Sequence, residues 1–507
     1  MVLSRRSFLG QAGLATLALR GGLLRALEGA TPTTVHAPCG ALGGEKVGAV
    51  RVFRGVPFAE APVGTLRFRA PEAVKPWKGL RDATRFAAAA MQPGVHFPVS
   101  EDCLYLNIWA PEGKGPFPVY VWIHGGGFTG GRAHDPMFDG AMLAEEGVVC
   151  VTVAYRLGVL GFLNMEPLLG ARYEASANNG LRDLMCALSW VKENIAAFGG
   201  DAARVTIGGQ SAGAKLTDLL MSVPAAKGLF HQMVSESGGG DRYNQKAESE
   251  RIAEGFGALW KSLGAETREL TTAPAEKLIA AQAKFMASWP KHFPLRAEID
   301  GKLLPAIPVE TITAGSTRGK RLLLGTCLDE SAAFIGTHPQ HDATAAELGN
   351  LPASTFLTVY GKYKNVYPQV TEEQRRIRAL TAEEYWIPSM RVAEAHVKGG
   401  GEAWVYRLDF AETMNGMHGF ALHSMDVKLV WDRPNARVDN AADEARLAAE
   451  MHGAWVEFLK GRTPAAKGLP AWPEFTAKKR ATMILNAASR VEEHPAEAEL
   501  RLWDGML

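Results

Sequence analysis

Short runs of apolar and β-branched residues recur along the chain, and each has the length and character of a buried strand. Two stretches have helical character instead, residues 212–223 and the longer region 248–292. In the longer region apolar side chains recur at helical spacing, at Leu259, Leu263 and Leu270 and then at Leu278, Ala281 and Phe285. The strand-like runs are at 119–124, 148–153, 203–208, 321–325 and 405–409. Four of the five lead into a glycine-rich turn or a polar residue suited to chemistry.

The third run is joined to the helix at 212–223 by Gly-Gln-Ser-Ala-Gly at 209–213. A G-x-S-x-G turn between a strand and a helix is the nucleophile elbow of α/β-hydrolases. It holds the serine, here Ser211, in a strained turn at a helix N-terminus, where free N–H groups favour developing negative charge. Because about 0.2 chance matches are expected at this composition, the strand and helix context carries the assignment. The elbow predicts an α/β fold with a large, mostly parallel central sheet flanked by helices.

Three further segments complete a pattern for nucleophilic catalysis. The first strand-like run leads into three glycines at 125–127. Such a loop supplies one backbone N–H to an oxyanion hole, and the residue after the serine supplies another. Asp329 and Glu330 follow the fourth run, and His423 follows the fifth. The order serine, acid, histidine is that of α/β-hydrolases, with either carboxylate as the acid.

Longer motifs extend this pattern over nearly the whole chain. They are Phe-Arg-Gly-Val-Pro-Phe-Ala and its continuation at 53–68, Glu-Asp-Cys-Leu-Tyr-Leu-Asn-Ile-Trp at 101–109, Asn-Gly-Leu-Arg-Asp at 179–183 and Phe-Gly-Gly-Asp at 198–201. In this order they resemble the motifs of type B carboxylesterases, which include cholinesterases and bacterial para-nitrobenzyl esterases. The resemblance runs from about Thr33 to Trp503. It implies an α/β-hydrolase fold with helical cap insertions, formed as one domain by residues 31–507.

The resemblance also assigns roles to individual residues. It implies that Ser211 is the nucleophile. It implies that His423 is the general base, because an acid and an apolar run follow it as in the family, whereas they do not follow His418. The register of the Gly-x-x-x-Asp-Glu motif makes Glu330, rather than Asp329, the implied acid.

The resemblance further implies an oxyanion hole formed by the backbone N–H groups of Gly126, Gly127 and Ala212. It implies that Ser237 braces the acid from the side away from the substrate. His124, at the end of the first strand-like run, is interpreted as a structural hydrogen-bonding residue, since a general base must reach the nucleophile directly.

Other side chains are predicted to serve the fold. Arg67 and Glu101 are expected to form a buried ion pair. The helical region 248–292 is expected to form a cap over the site. Three methionines near the predicted base either line an adaptable acyl pocket or fill the core, and core filling is favoured. These are Met414, Met417 and Met425.

Composition narrows the choice of partner. A net charge of +1 on 507 residues gives no reason to expect binding to nucleic acid. No Cys/His cluster has the spacing of a zinc site and no phosphate-binding loop is present, so neither a metal nor a cofactor is expected. The predicted partner is a small-molecule ester.

The N-terminus predicts export. Residues 4–9, Ser-Arg-Arg-Ser-Phe-Leu, have the form of a twin-arginine signal and lead into an apolar stretch at 8–19. That stretch is too short to span a bilayer, so no membrane anchor is expected. We assign residues 1–30 as a signal peptide and expect a periplasmic or secreted protein; the alternative is a basic leader without export function.

The chain has five cysteines, and no disulfide is expected to be essential to the fold. In many relatives the position of Cys103 pairs with a cysteine just upstream, where this chain has Met91. Cys103 is therefore expected to be free, with Cys39 left open as a partner. Cys150 and Cys186 are interpreted as buried, inert thiols. The fifth is Cys327.

The expected activity is hydrolysis of neutral carboxylic esters through an acyl-enzyme. Gln210 stands where cholinesterases have an acid, and no tryptophan lies between Met91 and Cys103 to form a cation–π platform, so a cationic substrate is disfavoured. One alternative is a related acyl-hydrolase, namely an amidase, carbamate hydrolase or lipase. A catalytically silent binding homologue is less favoured.

Overall fold

The computed structural model describes residues 29–290, 293–335 and 351–506. Of the nineteen strands in these residues, thirteen form one large sheet, and the other six form three separate pairs. In chain order the strands are β1 (Thr31–Ala37), β2 (Gly40–Val47), β3 (Val50–Pro57), β4 (Leu80–Asp82), β5 (Ala89–Ala90), β6 (Val99–Ser100), β7 (Tyr105–Pro111), β8 (Phe117–Ile123), β9 (Val149–Val153), β10 (Gly200–Gln210), β11 (Gln232–Glu236), β12 (Tyr243–Gln245), β13 (Ala297–Ile299), β14 (Arg321–Cys327), β15 (Glu402–Leu408), β16 (Thr413–Met414), β17 (Met417–His418), β18 (Thr482–Leu485) and β19 (Arg490–Glu492). The order across the sheet is β1-β2-β3-β7-β9-β8-β10-β11-β14-β15-β18-β19, with β4 beside β2, and the separate pairs are β5-β6, β12-β13 and β16-β17.

The centre of this sheet is parallel and its edges are antiparallel. Neighbours from β9 through β8, β10, β11, β14 and β15 to β18 all pair in parallel. The pairs from β1 to β9 on one side, and β18 with β19 on the other, are antiparallel. All five predicted strand-like runs coincide with central strands apart from three terminal residues: His124 follows β8, Val148 precedes β9 and Asp409 follows β15. The predicted large, mostly parallel sheet is confirmed.

Both faces of the sheet are covered, which explains why its central strands read as continuous apolar runs. Along β8, Val119, Val121 and Ile123 pack into one apolar core, and Tyr120 and Trp122 pack into a second. This alternation follows from the two-residue repeat of a strand. The central strands are therefore held from both sides by helices and loops.

The helices lie between and after the strands. In the described segments they are Ala141–Glu145, Gly158–Phe162, Glu166–Leu169, Asn179–Asn194, Ala212–Ser222, Lys246–Ser262, Ala275–Ser288, Pro308–Thr313, Ala332–Ile335, Ala353–Tyr360, Tyr363–Val366, Glu372–Thr381, Ile387–Lys398, Met425–Val430, Ala441–Leu459 and Glu497–Leu502. A π-helical turn at Ala382–Trp386 joins two of them.

The predicted helical region contains Lys246–Ser262 and Ala275–Ser288; residues 291–292 lie outside the described part. Leu270 and Leu278 are buried, as the apolar spacing predicts. Leu263 is exposed, because it caps the first helix at its C-terminus and no longer lies on the helix's packed face. Its prediction as part of the apolar face is wrong.

Arg67 forms the predicted ion pair and also ties this helical region to the N-terminal part of the chain. Its Nε donates to Oε1 of Glu101 at 2.7 Å, and its side chain and that of Glu101 are 8% and 12% exposed. Its Nη2 donates to Oε2 of the same carboxylate at 2.5 Å. Its Nη1 donates to the carbonyl oxygens of Leu270 at 3.2 Å and Ala273 at 2.7 Å. One cation therefore satisfies a carboxylate and two backbone carbonyl groups.

The predicted signal peptide at 1–30 lies outside the described residues except for its last two positions, and it stays a prediction. Across the segments that the structure does describe, no helix has both the length and the apolar character needed to cross a bilayer.

The Arg67 contacts generate a stability prediction. Glu101→Gln leaves a buried guanidinium without its counter-charge, and we expect a loss of about 3–5 kcal/mol in the free energy of unfolding, measured by urea denaturation. The matched control is Glu248→Gln, which removes an exposed pair with Arg251 on one helix and should change stability by less than about 0.5 kcal/mol. Equal effects of the two variants would contradict a structural role for the Arg67 pair.

Candidate active site

The elbow has the conformation that its sequence predicts. β10 ends at Gln210 and the next helix begins at Ala212, so Ser211 is the single residue between them, with φ 56° and ψ −123°. This is a strained conformation for a residue with a side chain. A Cβ at Gly213 would lie 2.0 Å from the carbonyl oxygen of Ile123. Only glycine lets the end of β8 pass this close to the turn.

The glycine loop after β8 contacts the elbow directly. A Cβ at Gly125 would lie 3.1 Å from the Cβ of Ser211 and 2.7 Å from the carbonyl oxygen of Gln210. At Gly127 a Cβ would lie 2.8 Å from a ring carbon of Phe293, which follows the helical region. The glycine loop therefore lies beside both the elbow and Phe293.

Glu330, and not Asp329, contacts the predicted base. Nδ1 of His423 donates to Oε2 of Glu330. The other carboxylate oxygen accepts from the Ser237 hydroxyl at 2.5 Å and from the Cys327 backbone N–H at 2.7 Å. Glu330 is fully buried, and these bonds fix its carboxylate in one orientation.

Asp329 has a different position. Its backbone N–H donates to the carbonyl oxygen of Ala421 at 3.0 Å, and its carboxylate accepts from the Ala421 N–H at 3.3 Å. Burial raises the pKa of this carboxyl above its usual value. Asp329 therefore ties the loop that carries His423 to the end of β14.

Two aromatic rings and a side-chain amide contact the imidazole of His423. Its ring centroid lies 4.9 Å from that of Phe334 and 4.8 Å from that of Tyr385, which is on the π-helical turn. Its Nε2 lies 3.1 Å from Nε2 of Gln210, the residue before Ser211. His418 instead lies exposed on the β16–β17 hairpin, 3.0 Å from the Thr413 hydroxyl.

Two further buried carboxyl groups, those of Asp426 and Glu236, lie near Glu330. Asp426 accepts from the Tyr406 hydroxyl at 2.7 Å, and Glu236 accepts from the Trp455 indole N–H at 2.8 Å. Burial, followed by the charge of Glu330, raises the pKa of Asp426 to about 6. Burial and the charge of Asp426 raise the pKa of Glu236 well above its usual value. The backbone carbonyl of Glu236 also accepts from the Ser211 N–H at 2.9 Å.

His124 is a structural residue, as interpreted from the sequence. Its ring stacks on Tyr155 with centroids 4.5 Å apart, and its Nδ1 lies 2.9 Å from the carbonyl oxygen of Gly125. The Tyr155 hydroxyl donates to the His124 carbonyl at 2.8 Å. Burial lowers the pKa of His124 to about 4, so the ring is neutral near pH 7.

Two expectations about sulfur side chains are corrected. Met414 and Met417 are 48% and 70% exposed, because the β16–β17 hairpin carries them away from the core; only Met425 is buried. Cys186 is half-buried rather than buried, although desolvation still raises its thiol pKa to about 12. All five cysteines are free, so Cys103 and Cys39 do not pair.

Comparison with known proteins decides the family. Residues 31–503 match the carboxylesterase family, close to the extent predicted from the motifs. The chain belongs to the carboxylesterase family. It is a carboxylic ester hydrolase with the α/β-hydrolase fold.

Relatives of this carboxylesterase include bacterial enzymes of similar length. It is 33% identical to the para-nitrobenzyl esterase of Bacillus subtilis, covering 91% of this chain and 96% of the relative. It is 34% identical to the fumonisin B1 esterase of Sphingopyxis macrogoltabida, covering 87% and 84%.

Solved structures of carboxylesterases superpose on this one. A para-nitrobenzyl esterase matches with a TM-score of 0.82 at 31% identity, covering 93% of this chain and 100% of the other. The Geobacillus stearothermophilus carboxylesterase matches with a TM-score of 0.82 at 33% identity, with the same coverage.

Sequence reasoning missed several contacts at this site. The aromatic rings of Phe334 and Tyr385 lie far along the chain from His423 and form no motif with it. Asp426 could be found from the sequence, because it is the acid three residues after His423. The side-chain contact of Gln210 with the imidazole could not, because the sequence gives its position in the elbow but not the direction of its amide.

The lowered pKa of His124 predicts a pH effect on stability. The folded protein keeps this ring neutral down to about pH 4, whereas the unfolded chain binds a proton near pH 6.5. The stabilisation is therefore present above pH 6.5 and is lost as the pH falls toward 4, by about 1.4 kcal/mol per pH unit. Urea unfolding at pH 7 and 4.5 should show a smaller loss for His124→Asn than for the parent.

The matched control for this pH effect is His418→Asn, which makes the same change on an exposed hairpin. Its stability should depend on pH as the parent's does. If His124→Asn lost as much stability as the parent between the two pH values, a neutral buried His124 would be ruled out.

Proposed function

We propose that this carboxylesterase hydrolyses neutral carboxylic esters through an acyl-enzyme formed on Ser211. The observation that carries the proposal is the bond between Nδ1 of His423 and the buried carboxylate of Glu330, beside the elbow. With the Nδ1 proton directed at the carboxylate, the lone pair of the imidazole is on Nε2. That nitrogen faces the elbow residue next to Ser211.

The reaction then follows general acid–base chemistry. A serine hydroxyl is a weak nucleophile near pH 7, so Nε2 of His423 takes its proton as the oxygen attacks the ester carbonyl. Glu330 stabilises the resulting imidazolium. The imidazolium returns the proton to the departing alcohol, and water then repeats the sequence to release the acid.

The proposed oxyanion hole consists of the backbone N–H groups of Gly126, Gly127 and Ala212. Ala212 begins the helix that follows Ser211, so its N–H belongs to the positive end of the helix. Each such donor is typically worth about 2.7–4 kcal/mol of transition-state stabilisation. The contact between Gly125 and Ser211 supports this placement of the loop.

A neutral substrate is supported by the groups around the imidazole. Gln210 brings no charge, and Phe334 and Tyr385 present aromatic rings. Phe293, packed on the glycine loop, adds a third ring. Apolar and aromatic walls with few polar groups are typical of sites for small uncharged ligands. The relatives named for para-nitrobenzyl and fumonisin esters agree with ester cleavage.

The central test is Ser211→Ala in the protein without its predicted signal peptide. We expect hydrolysis of short p-nitrophenyl esters to fall by at least about 10⁴-fold, because the acyl-enzyme cannot form, and labelling by a fluorophosphonate probe to disappear. The parent should cleave the esters faster than the matched anilides. Labelling that survives Ser211→Ala in folded protein would reject Ser211 as the nucleophile.

Ser237 is proposed as a positioning residue for Glu330. Ser237→Ala removes one charge-assisted hydrogen bond from the buried carboxylate, and we expect kcat to fall about 10-fold with little change in KM. The matched control is Ser235→Ala, a buried serine two residues earlier in β11, whose hydroxyl donates to Asp218 instead. A parent-like kcat for Ser237→Ala would remove Ser237 from the proposed machinery.

A further inference from the structure

Both ring nitrogens of His423 have polar partners in the described structure. Nδ1 meets Glu330, and Nε2 meets the side-chain amide of Gln210 at 3.1 Å. Gln210 is buried, with only 5% of its surface exposed. A buried amide is held in place by its hydrogen bonds, and this one is directed at the nitrogen that the proposed mechanism uses.

The protonation of the ring fixes the direction of this contact. The Nδ1 proton is donated to a carboxylate, so Nε2 of neutral imidazole carries a lone pair and accepts. The atom of Gln210 that faces it is the amide nitrogen, which donates. In the resting enzyme the amide N–H therefore occupies the lone pair that must later take the proton of Ser211.

We propose that Gln210 is a positioning residue for His423, whose amide donates to neutral Nε2 and, after half a turn, accepts from protonated Nε2. The inference rests on the proposed function. One amide group carries two N–H donors on nitrogen and two acceptor sites on oxygen, so rotation about its last bond exchanges them. A methionine of the same length would serve neither form of the imidazole, and a carboxylate would serve only the protonated one.

The glycine loop provides the space for this group. The oxygen of the Gln210 amide lies on the side of Gly125, where a Cβ would be only 3.1 Å away. A larger residue at Gly125 would press on the amide and on the elbow backbone together, since the carbonyl oxygen of Gln210 lies 2.7 Å from the same point. The missing side chain thus leaves room for the amide oxygen and for the backbone carbonyl of Gln210.

The charges around the ring explain why a neutral partner suits this position. Glu330 faces His423 from the loop after β14, and Asp426 faces it from the helix Met425–Val430. Tyr385, on the π-helical turn, contributes its ring. A third carboxylate, placed at Nε2 by substitution of Gln210, would favour protonation of the ring before Ser211 attacks the ester. The Gln210 amide orients the imidazole without adding a charge beside it.

The test is the pH dependence of kcat/KM for a neutral p-nitrophenyl ester. In Gln210→Glu a carboxylate beside Nε2 favours the protonated ring, so the midpoint of the acidic limb should rise by about one pH unit or more. Gln374→Glu is the matched control, because it makes the same change on an exposed helix turn. Its profile should coincide with the parent's. A parent-like acidic limb for Gln210→Glu would overturn the inference.

Gln210→Met tests positioning without adding charge. With rates normalised to sites labelled by a fluorophosphonate, we expect kcat to fall about 10-fold at similar KM. A parent-like normalised kcat would overturn the inference, and this variant decides the question if Gln210→Glu does not fold.

Ser211→Ala separates the two proposals. Full activity in that variant would refute the proposed function itself. An inactive Ser211→Ala together with parent-like Gln210 variants would refute only the role of Gln210.

Discussion

The close approach of β8 to the turn after β10 is the constraint on which the site depends. The two strands are parallel neighbours, and the carbonyl oxygen of Ile123 enters the space that a side chain at Gly213 would fill. This contact brings the start of the glycine loop next to the elbow. Backbone packing of β8 against Gly209 and Gly213, on either side of Ser211, therefore holds the serine in its strained turn.

The order of the strands in the sheet brings the other site residues to the elbow. β8, β10, β11, β14 and β15 lie side by side, and the loops at their carboxyl ends carry the glycine loop, Ser211, Ser237, Glu330 and His423 in that order. Open parallel sheets place their binding sites at this edge. Residues separated by nearly three hundred positions in the chain, such as Gly126 and His423, meet there because their strands are neighbours. The Ser237–Glu330 and Glu330–His423 bonds are direct contacts between these loops.

Much of this arrangement could be predicted from the sequence. Buried parallel strands need continuous apolar runs, so five of the seven central strands could be recognised; β11 and β18 were not predicted. The register of the Asp-Glu pair identified the carboxylate that meets the imidazole, and the pairing of Arg67 with Glu101 was also predicted. What the sequence could not give was the direction of side chains. Spacing alone could not show that Met414 and Met417 point outward, or that Arg67 also reaches two carbonyls of the helical region.

The packing of Phe293 on Gly127 links two properties that protein engineers usually treat separately. The aromatic ring belongs to the segment after the cap helices, and the glycine belongs to the loop proposed to hold the oxyanion. A change made there to admit a bulkier ester also alters the backing of a proposed donor. Breadth of substrate range and rate of turnover would then trade against each other at one position, so variants selected for one property must be screened for the other.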